Sequence, residues 1–593
     1  MKKKYLITTA DETTWIFDQP VIFLGEWCRL YNRKHIWEAM DAVVAKPYGL
    51  GSLKKDTDYL IAKNLEKKLF PELCILLNNY HKAQHSQRFW SIVIGHWFRA
   101  TIQMLLNRVN TIEQCFQIED IKETLVHKSD YCCLASPDWT SALNLFNDDQ
   151  WNNILYGRII SSLKHIKINI NYCEKNFGIF TYKKFKNINS NQNQSYKIKI
   201  LRFSEKIYRK ITNKFIKNDD AFIITSYLGK LDEIKLEIAL GQFPQIWNRI
   251  SPKTETLPNK KDRKNLTKMF TSKSKNYLEN IVRQLIFELL PVYYLEAHKD
   301  LKKIIASLPW PNSPKFIFTS SNFYTDEIFK LWTATKVETG TNYYVGQHGN
   351  NYFTKKNLFP RIEEKTSDKF ITWGWKNNLP KYVPAFIFKS SSRKNLRYNI
   401  NGGLLLIETT QSLRLNTWDS NFEHNKYFND QKKFVNHLFN EPRKKLTIRL
   451  GPLFKKRKYY EDYRWHDFNY KIKVDYGKVS LKKLIFKSRL VVHSYDSTGI
   501  LETLSQNIPT LAFWQNDFDH LRNEVKPYYQ LLVDVGILHL SSNSAADKVN
   551  EIWNDIDQWW KQKKIQKARI SFCNIFAKNC DKPVQKMISI FNM

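Results

Sequence analysis

The 593-residue sequence predicts an α/β protein of two doubly wound, Rossmann-like domains, with a helical insertion in the N-terminal half. Three observations carry that expectation. Short β-branched or aromatic runs alternate with helically spaced segments near both ends and in the centre. The alternation starts afresh after the polar stretch 389–401. Residues 491–514, VVHSYDSTGILETLSQNIPTLAFW, parse as strand, tight turn, helix and strand. Such alternation makes parallel sheets, in which ligands bind at the carboxyl ends of the strands.

Taken in order, KKYLITT (3–9) and PVIFLG (20–25) read as buried strands that run into the polar loops TADETTW and EWCRLY. From about 58 to 170 the spacing of apolar and aromatic residues turns helical, as in NLEKKLFPELCILLNNYH, and this block reads as the insertion. A variable segment follows over about 175–275, where KNINSNQNQS (186–195) and SPKTETLPNKKDRKN (251–265) read as loops. Order returns with the helical run YLENIVRQLIFELL, then strand KFIFTS, helix DEIFKLWTATKVETG, and strands NYYVGQHG and KFITWGW, which closes an N-terminal domain over 1–390. Strands GLLLIETT, KLTIRLG and YKIKVDY, with the DSTG unit, make a C-terminal domain over 400–545, and helices occupy 546–593.

The balance of 93 Lys+Arg against 57 Asp+Glu gives a net charge of +36 and points to anionic partners: nucleic acid, nucleotide phosphates or an anionic membrane face. The basic residues are spread along the chain instead of gathered into one tail or helix, which argues against a dedicated nucleic-acid reader. Eight cysteines form no CxxC pair and read as reduced thiols of a cytoplasmic protein. No run of about 18 apolar residues is present, so any membrane contact is expected to be peripheral, through Lys and Arg.

Several polar residues fall where strands end. Asp11 follows the first strand, Glu26 the second, and Gln347, His348 and Gly349 follow NYYVG. Arg449 closes KLTIR, with a guanidinium suited either to a two-pronged phosphate grip or to an ion pair at the strand end. Ser494, Asp496, Ser497, Thr498 and Gly499 form the DSTG turn, whose backbone N–H groups could meet an anion at the N-terminus of the next helix. The same small residues, with Glu502, also suit a helix start with no ligand at all. His348 lies between two glycines; a neutral imidazole there could bond a phosphate or a sugar hydroxyl, and a protonated one could stabilise charge on a leaving group. Metal chemistry finds little support. DTD (56–58), DFD (517–519) and DID (555–557) match Asp-x-Asp, a pattern expected by chance in this background. His81 and His85 lack the glutamate of metalloprotease chemistry. There is no Walker loop and no GxGxxG after the first strand.

TTADETTWIFDQPVIFLGEWCRLY, the QHG and ITWGW stretches, and HSYDSTGILETLSQNIPTLAFW together resemble the transferases of O-antigen and other surface-polysaccharide gene clusters. The second half also resembles the donor-binding domain of GT-B glycosyltransferases. That resemblance implies that Ser497, Thr498 and Gly499 hold the donor phosphate and Glu502 the ribose. GQHG (346–349) is similar to a histidine-glycine motif that faces the donor in capsule-polysaccharide transferases. One departure is the slot seven residues after Glu502, where a second glutamate is usual and Pro509-Thr510 stands instead. The implied activity is a metal-independent, GT-B-like glycosyltransferase. It would move a sugar from a nucleotide-activated donor, a co-substrate and not a cofactor, onto a lipid-linked surface glycan. Glu26 is the first expected base and Asp11 the second, with His348 and Arg449 stabilising the departing phosphate. A transferase of a phosphorylated polyol is the alternative enzyme, and a basic nucleic-acid-binding protein the alternative of another class.

Overall fold

Three all-parallel sheets organise the chain. The first runs β3-β2-β1-β4-β5, from β1 (Lys4–Ile7), β2 (Val21–Phe23), β3 (Ala42–Val44), β4 (Ile121–Ser129) and β5 (Asn169–Phe177). The middle sheet runs β10-β9-β8-β7-β6, from β6 (Phe222–Ile224), β7 (Phe316–Thr319), β8 (Asn342–Gly346), β9 (Lys369–Thr372) and β10 (Tyr382–Pro384). The C-terminal sheet runs β13-β12-β11-β14-β15-β16, from β11 (Gly403–Ile407), β12 (Leu446–Arg449), β13 (Lys473–Asp475), β14 (Ser488–His493), β15 (Thr510–Phe513) and β16 (Leu538–His539). That last order is doubly wound, and its direction reverses between β11 and β14, where the carboxyl ends of the strands leave a crevice. The fold is thus α/β with parallel sheets, and the strands before residue 390 divide between two sheets. The computed structural model describes residues 3–592, except 50, 179–195, 253–254, 272–273, 275, 391–397, 411–423, 453–459, 469–470 and 515–516.

Within 58–170 the helical spacing produces two long helices, α1 (Ser52–His81) and α2 (Gln87–Ile118). Their short link makes them antiparallel neighbours. Ser86 starts α2 by accepting a hydrogen bond from the Phe89 N–H, and Trp90, Trp97 and Leu105 are among the side chains α2 buries. The block is not wholly helical: Ile121–Ser129 is β4, paired with β1 and β5. Its sequence, IKETLVHKS, alternates only loosely, and the pairing comes from two strands remote in sequence. The expected loop 251–265 is also partly ordered into a helix, Lys260–Phe270, because the Asn259 side chain accepts from the Lys261 and Asp262 N–H groups. KNINSNQNQS lies outside the described residues. After it come α3 (Tyr196–Thr212) and α4 (Lys230–Ala239), then α5 (Ile362–Thr366) before β9, α6 (Thr498–Ser505) after β14, and α7 (Pro583–Phe591).

The first and middle sheets share one continuous apolar core with α1 and α2, and the C-terminal sheet has a core of its own. In the middle sheet each strand lies beside its predecessor in sequence. One face meets the shared core through Phe222, Ile317 and Tyr343. The other, carrying Ile223, Phe316 and Tyr344, is covered by Leu236 of α4 and by Met587, Ile590 and Phe591 of α7. The Phe591 ring stacks on Tyr344 at 5.9 Å and 7°. All eight cysteines are free, and among the described residues no helix is long and apolar enough to cross a membrane.

Candidate active site

β8 delivers Gln347, His348 and Gly349 at its carboxyl end, and β14 delivers the DSTG turn at its own. The two segments touch. The Asn350 N–H donates to Thr498 Oγ1 at 3.0 Å, and the Asn350 amide donates to Asp496 Oδ1 at 2.6 Å. A Cβ on Gly349 would come within 2.9 Å of Thr498 Oγ1, so a glycine is needed for this approach. The Asp496 carboxylate also bonds His520 Nε2 at 3.0 Å and accepts from the Tyr529 hydroxyl at 3.5 Å. An antiparallel bridge, Lys355 to Leu521, continues the seam, and Arg522 stacks over Phe353 and Phe359.

His348 is half-buried beside this seam. Its Nδ1 lies 2.8 Å from the Tyr352 hydroxyl, which donates to Glu363 Oε1 at 2.6 Å. The tyrosine has one proton and gives it to the carboxylate, so Nδ1 must be the donor to the tyrosine oxygen. That places the proton on Nδ1 and the lone pair on Nε2. Burial, followed by the nearby Arg361 and Lys389 cations, holds the imidazole neutral, with its pKa lowered to about 3. The protonated form expected at a leaving group therefore does not fit. Tyr227 approaches the His348 ring edge-on at 6.3 Å, and Lys389 lies 4.9 Å above the Tyr227 ring and 3.6 Å from Glu502. Thr225, Tyr227, Asn351 and Phe353, all in loops around His348, adopt left-handed φ of 49–69°. Non-glycine residues hold that conformation only where packing over-determines it, and such strain gathers at functional sites.

The DSTG turn is partly a helix cap. Ser497 accepts from the Ile500 N–H at 3.2 Å as the N-cap of α6. A Cβ on Gly499 would meet His493 Cε1 at 2.6 Å, so this glycine makes room for a buried histidine behind the turn. Ser494 is spent on the Tyr427 hydroxyl and the Ile407 carbonyl. Thr498 and Glu502 are partly open, Glu502 with 29% of its side chain exposed.

Other sequence-selected residues are occupied. Arg449 pairs with Asp475 and donates to the Val479 carbonyl at 2.7 Å, both through Nη1, so the ion pair at the strand end is formed. Gln347 is buried and fixes its own loop, accepting from the Trp373 N–H and Trp375 Nε1 and donating to the Gly349 carbonyl. Asp11 accepts from Thr13 and bonds His127 Nε2 at 2.8 Å; burial works against these bonds, which still lower its pKa to about 2. Both Glu26 oxygens accept from Arg29, at 2.6 and 2.7 Å. Both carboxylates are thus engaged by protein partners in this structure. Asp56 is paired with Lys356 and Asn357, Asp58 accepts from Tyr48, and Asp557 accepts from Tyr398. His81 lies 3.0 Å from the Tyr294 carbonyl and His85 beside Glu338.

The sequence reading missed Asn350, Tyr352, Glu363 and Lys389, which complete the cleft, and Glu408 at the crevice between β11 and β14. Glu408 is 3% exposed; burial pushes its pKa to about 8, Trp465 bonds one oxygen, and the other has no partner among the described residues. Its position directly after GLLLI was a usable signal under the strand-end rule.

A model described as "LIC12162 family transferase" matches residues 4–591. No curated protein matches. Among solved structures, the S. aureus MnaA–UDP co-structure is 13% identical, with a TM-score of 0.34, over 63% of this chain and 95% of its own. The spinosyn rhamnosyltransferase SpnG is 8% identical, with a TM-score of 0.31, over 63% of this chain and 100% of its own. The wall teichoic acid polymerase TagF is 10% identical, with a TM-score of 0.30, over 66% of this chain and 94% of its own.

Proposed function

The chain belongs to the LIC12162 family of transferases, and on that premise we propose that it is a metal-independent glycosyltransferase of GT-B type. It moves a sugar from a nucleotide-activated donor onto a lipid-linked O-antigen or other surface-polysaccharide acceptor, at the cytoplasmic face of the membrane. The observation that carries this reading is the contact between the QHG loop and the DSTG turn, which brings the loop of the neutral His348 onto the N-terminus of α6. In this reading the donor phosphates meet that N-terminus, the Thr498 hydroxyl and Lys389, groups that stabilise the negative charge of the departing nucleotide. Glu502 receives the ribose hydroxyls. His348, held neutral, accepts a hydrogen bond from the acceptor hydroxyl through Nε2 and orients it, and the proton released as the glycosidic bond forms passes to a carboxylate base, Glu26 first among those expected, or to solvent.

A thermal-shift panel of CMP-, UDP-, GDP- and TDP-sugars, with a nucleotide-activated polyol beside them, tests the donor. One nucleotide class should raise Tm in the presence of EDTA. His348→Ala should keep that shift and lose transfer by about 100-fold or more. A panel in which only the polyol donor acts would move the reading to a phosphopolyol transferase. Loss of all response, together with salt-sensitive binding of single-stranded nucleic acid, would overturn it.

A further inference from the structure

The variable segment holds an outward surface that the transferase chemistry does not use. On α3, Phe203, Ile207 and Ile211 recur every fourth residue and stand 65, 47 and 56% exposed. The helix seats its other edge on the protein: Thr212 is buried, and the Tyr208 hydroxyl donates to the Pro244 carbonyl at 3.0 Å. Phe215, just beyond α3, stacks on Phe243 at 5.0 Å, and both rings remain more than 40% exposed. Beside it, α4 presents Leu231, Ile234 and Ile238 to solvent. The two helices are joined by the Lys230–Glu205 ion pair.

Charge is sorted on the same elements. Lys210, Lys214, Lys217, Lys230 and Lys235 are exposed. Two of the three acidic residues of α4 turn inward instead: Glu233 bonds the Ser226 hydroxyl, and Glu237 is buried and accepts from the Gln245 N–H. An apolar ridge rimmed by lysines, without a spanning segment, is the pattern of a helix surface that lies in a bilayer interface, with apolar side chains among the acyl chains and ammonium groups at anionic headgroups.

The geometry points to α3 and α4 as a docking surface for an anionic lipid bilayer. Tyr227, whose ring meets that of His348 edge-on, stands three residues before α4 and ties this surface to the candidate site. Docking there brings the lipid headgroups to the cleft mouth. This second step rests on the proposed function; the docking itself does not.

The test is sedimentation of the full chain with phosphatidylcholine vesicles containing about one part in four phosphatidylglycerol, against pure phosphatidylcholine, with neither donor nor acceptor present. Binding is expected only to the anionic vesicles, and it should weaken about tenfold or more in roughly 0.5 M salt. The double variants I207D/I211D and L231D/I238D should each lose binding by about tenfold or more while keeping the wild-type Tm, because all four side chains already face water. Phe439→Asp, at an equally exposed apolar position on the C-terminal lobe, should bind as the wild type does. Absence of wild-type binding, or binding unchanged in both double variants, overturns the proposal. So does a wild-type dimer that both double variants convert to a monomer without any vesicle binding, since the ridge would then join two copies. Vesicle binding in a protein with no transfer activity would instead leave the docking standing and count against the glycosyltransferase reading.

Discussion

A tyrosine hydroxyl with one proton and two partners sets the chemistry of His348, and this can be tested one atom at a time. Tyr352→Phe leaves Nδ1–H without its acceptor and frees the ring to exchange tautomers. Turnover is expected to fall by about 10- to 100-fold with KM nearly unchanged. Nitrogen NMR of labelled histidine should show the Nε2-protonated form gaining population at His348. Equal turnover in the phenylalanine variant would mean that the Tyr352 contact does not position His348. Gly499 makes a different point. The resemblance implies that Gly499 helps hold the donor phosphate, but a Cβ there would point into the His493 ring. Gly499→Ala is therefore expected to cost about 1–3 kcal/mol of stability through overpacking while the donor-induced rise in Tm survives. A variant of wild-type stability that no longer responds to donor would restore the phosphate explanation.

At the scale of elements, the site is a seam between two loops. Asp496 holds Asn350, His520 and Tyr529, so Asp496→Ala strands several buried donors at once, at an expected cost of about 2–3 kcal/mol. Amide exchange should quicken together in residues 347–356 and 494–500, on both sides of the seam. Exchange confined to one side would show that the loops are held independently. The seam also marks what the sequence disclosed. The DSTG turn was legible because a strand, small residues and a helix follow one another within 24 residues, and QHG because two glycines flank a histidine after an apolar strand. Their contact was not legible: 148 residues separate Asn350 from Thr498, and no local spacing encodes a meeting of that kind. Tyr352 and Glu363 were missed because a tyrosine and a glutamate in a loop and a five-residue helix carry no pattern. β4 was missed because its neighbours in sequence are helices, while its partners in the sheet are β1 and β5.

For the whole molecule, buried titratable groups shape stability against pH. Burial lowers the pKa of His81 and His539 to about 4, of His348 and His493 to about 3, and of His298 to about 2. The unfolded chain binds those protons first, so stability is lost as pH falls below about 6.5. Burial also pushes Glu237, Glu364 and Glu408 up to about 8. The folded state keeps protons that the unfolded chain releases above about pH 4.5, so stability falls again as pH rises toward 8. Tm is expected to peak near pH 6, and a Tm that climbs steadily from about pH 6 to 8 would contradict these burials. The return of α7 to the middle sheet bears on how the chain is made. A ribosome finishes β6 to β10 early, yet the face bearing Phe316, Tyr344 and Ile371, which α4 covers only in part, is not closed until residues 583–591 have been synthesised, after the whole C-terminal sheet. During that interval the nascent chain exposes an aromatic sheet face to the cytosol, so its safe synthesis depends on chaperone cover and on the pace of translation, and premature termination before α7 leaves an aggregation-prone product.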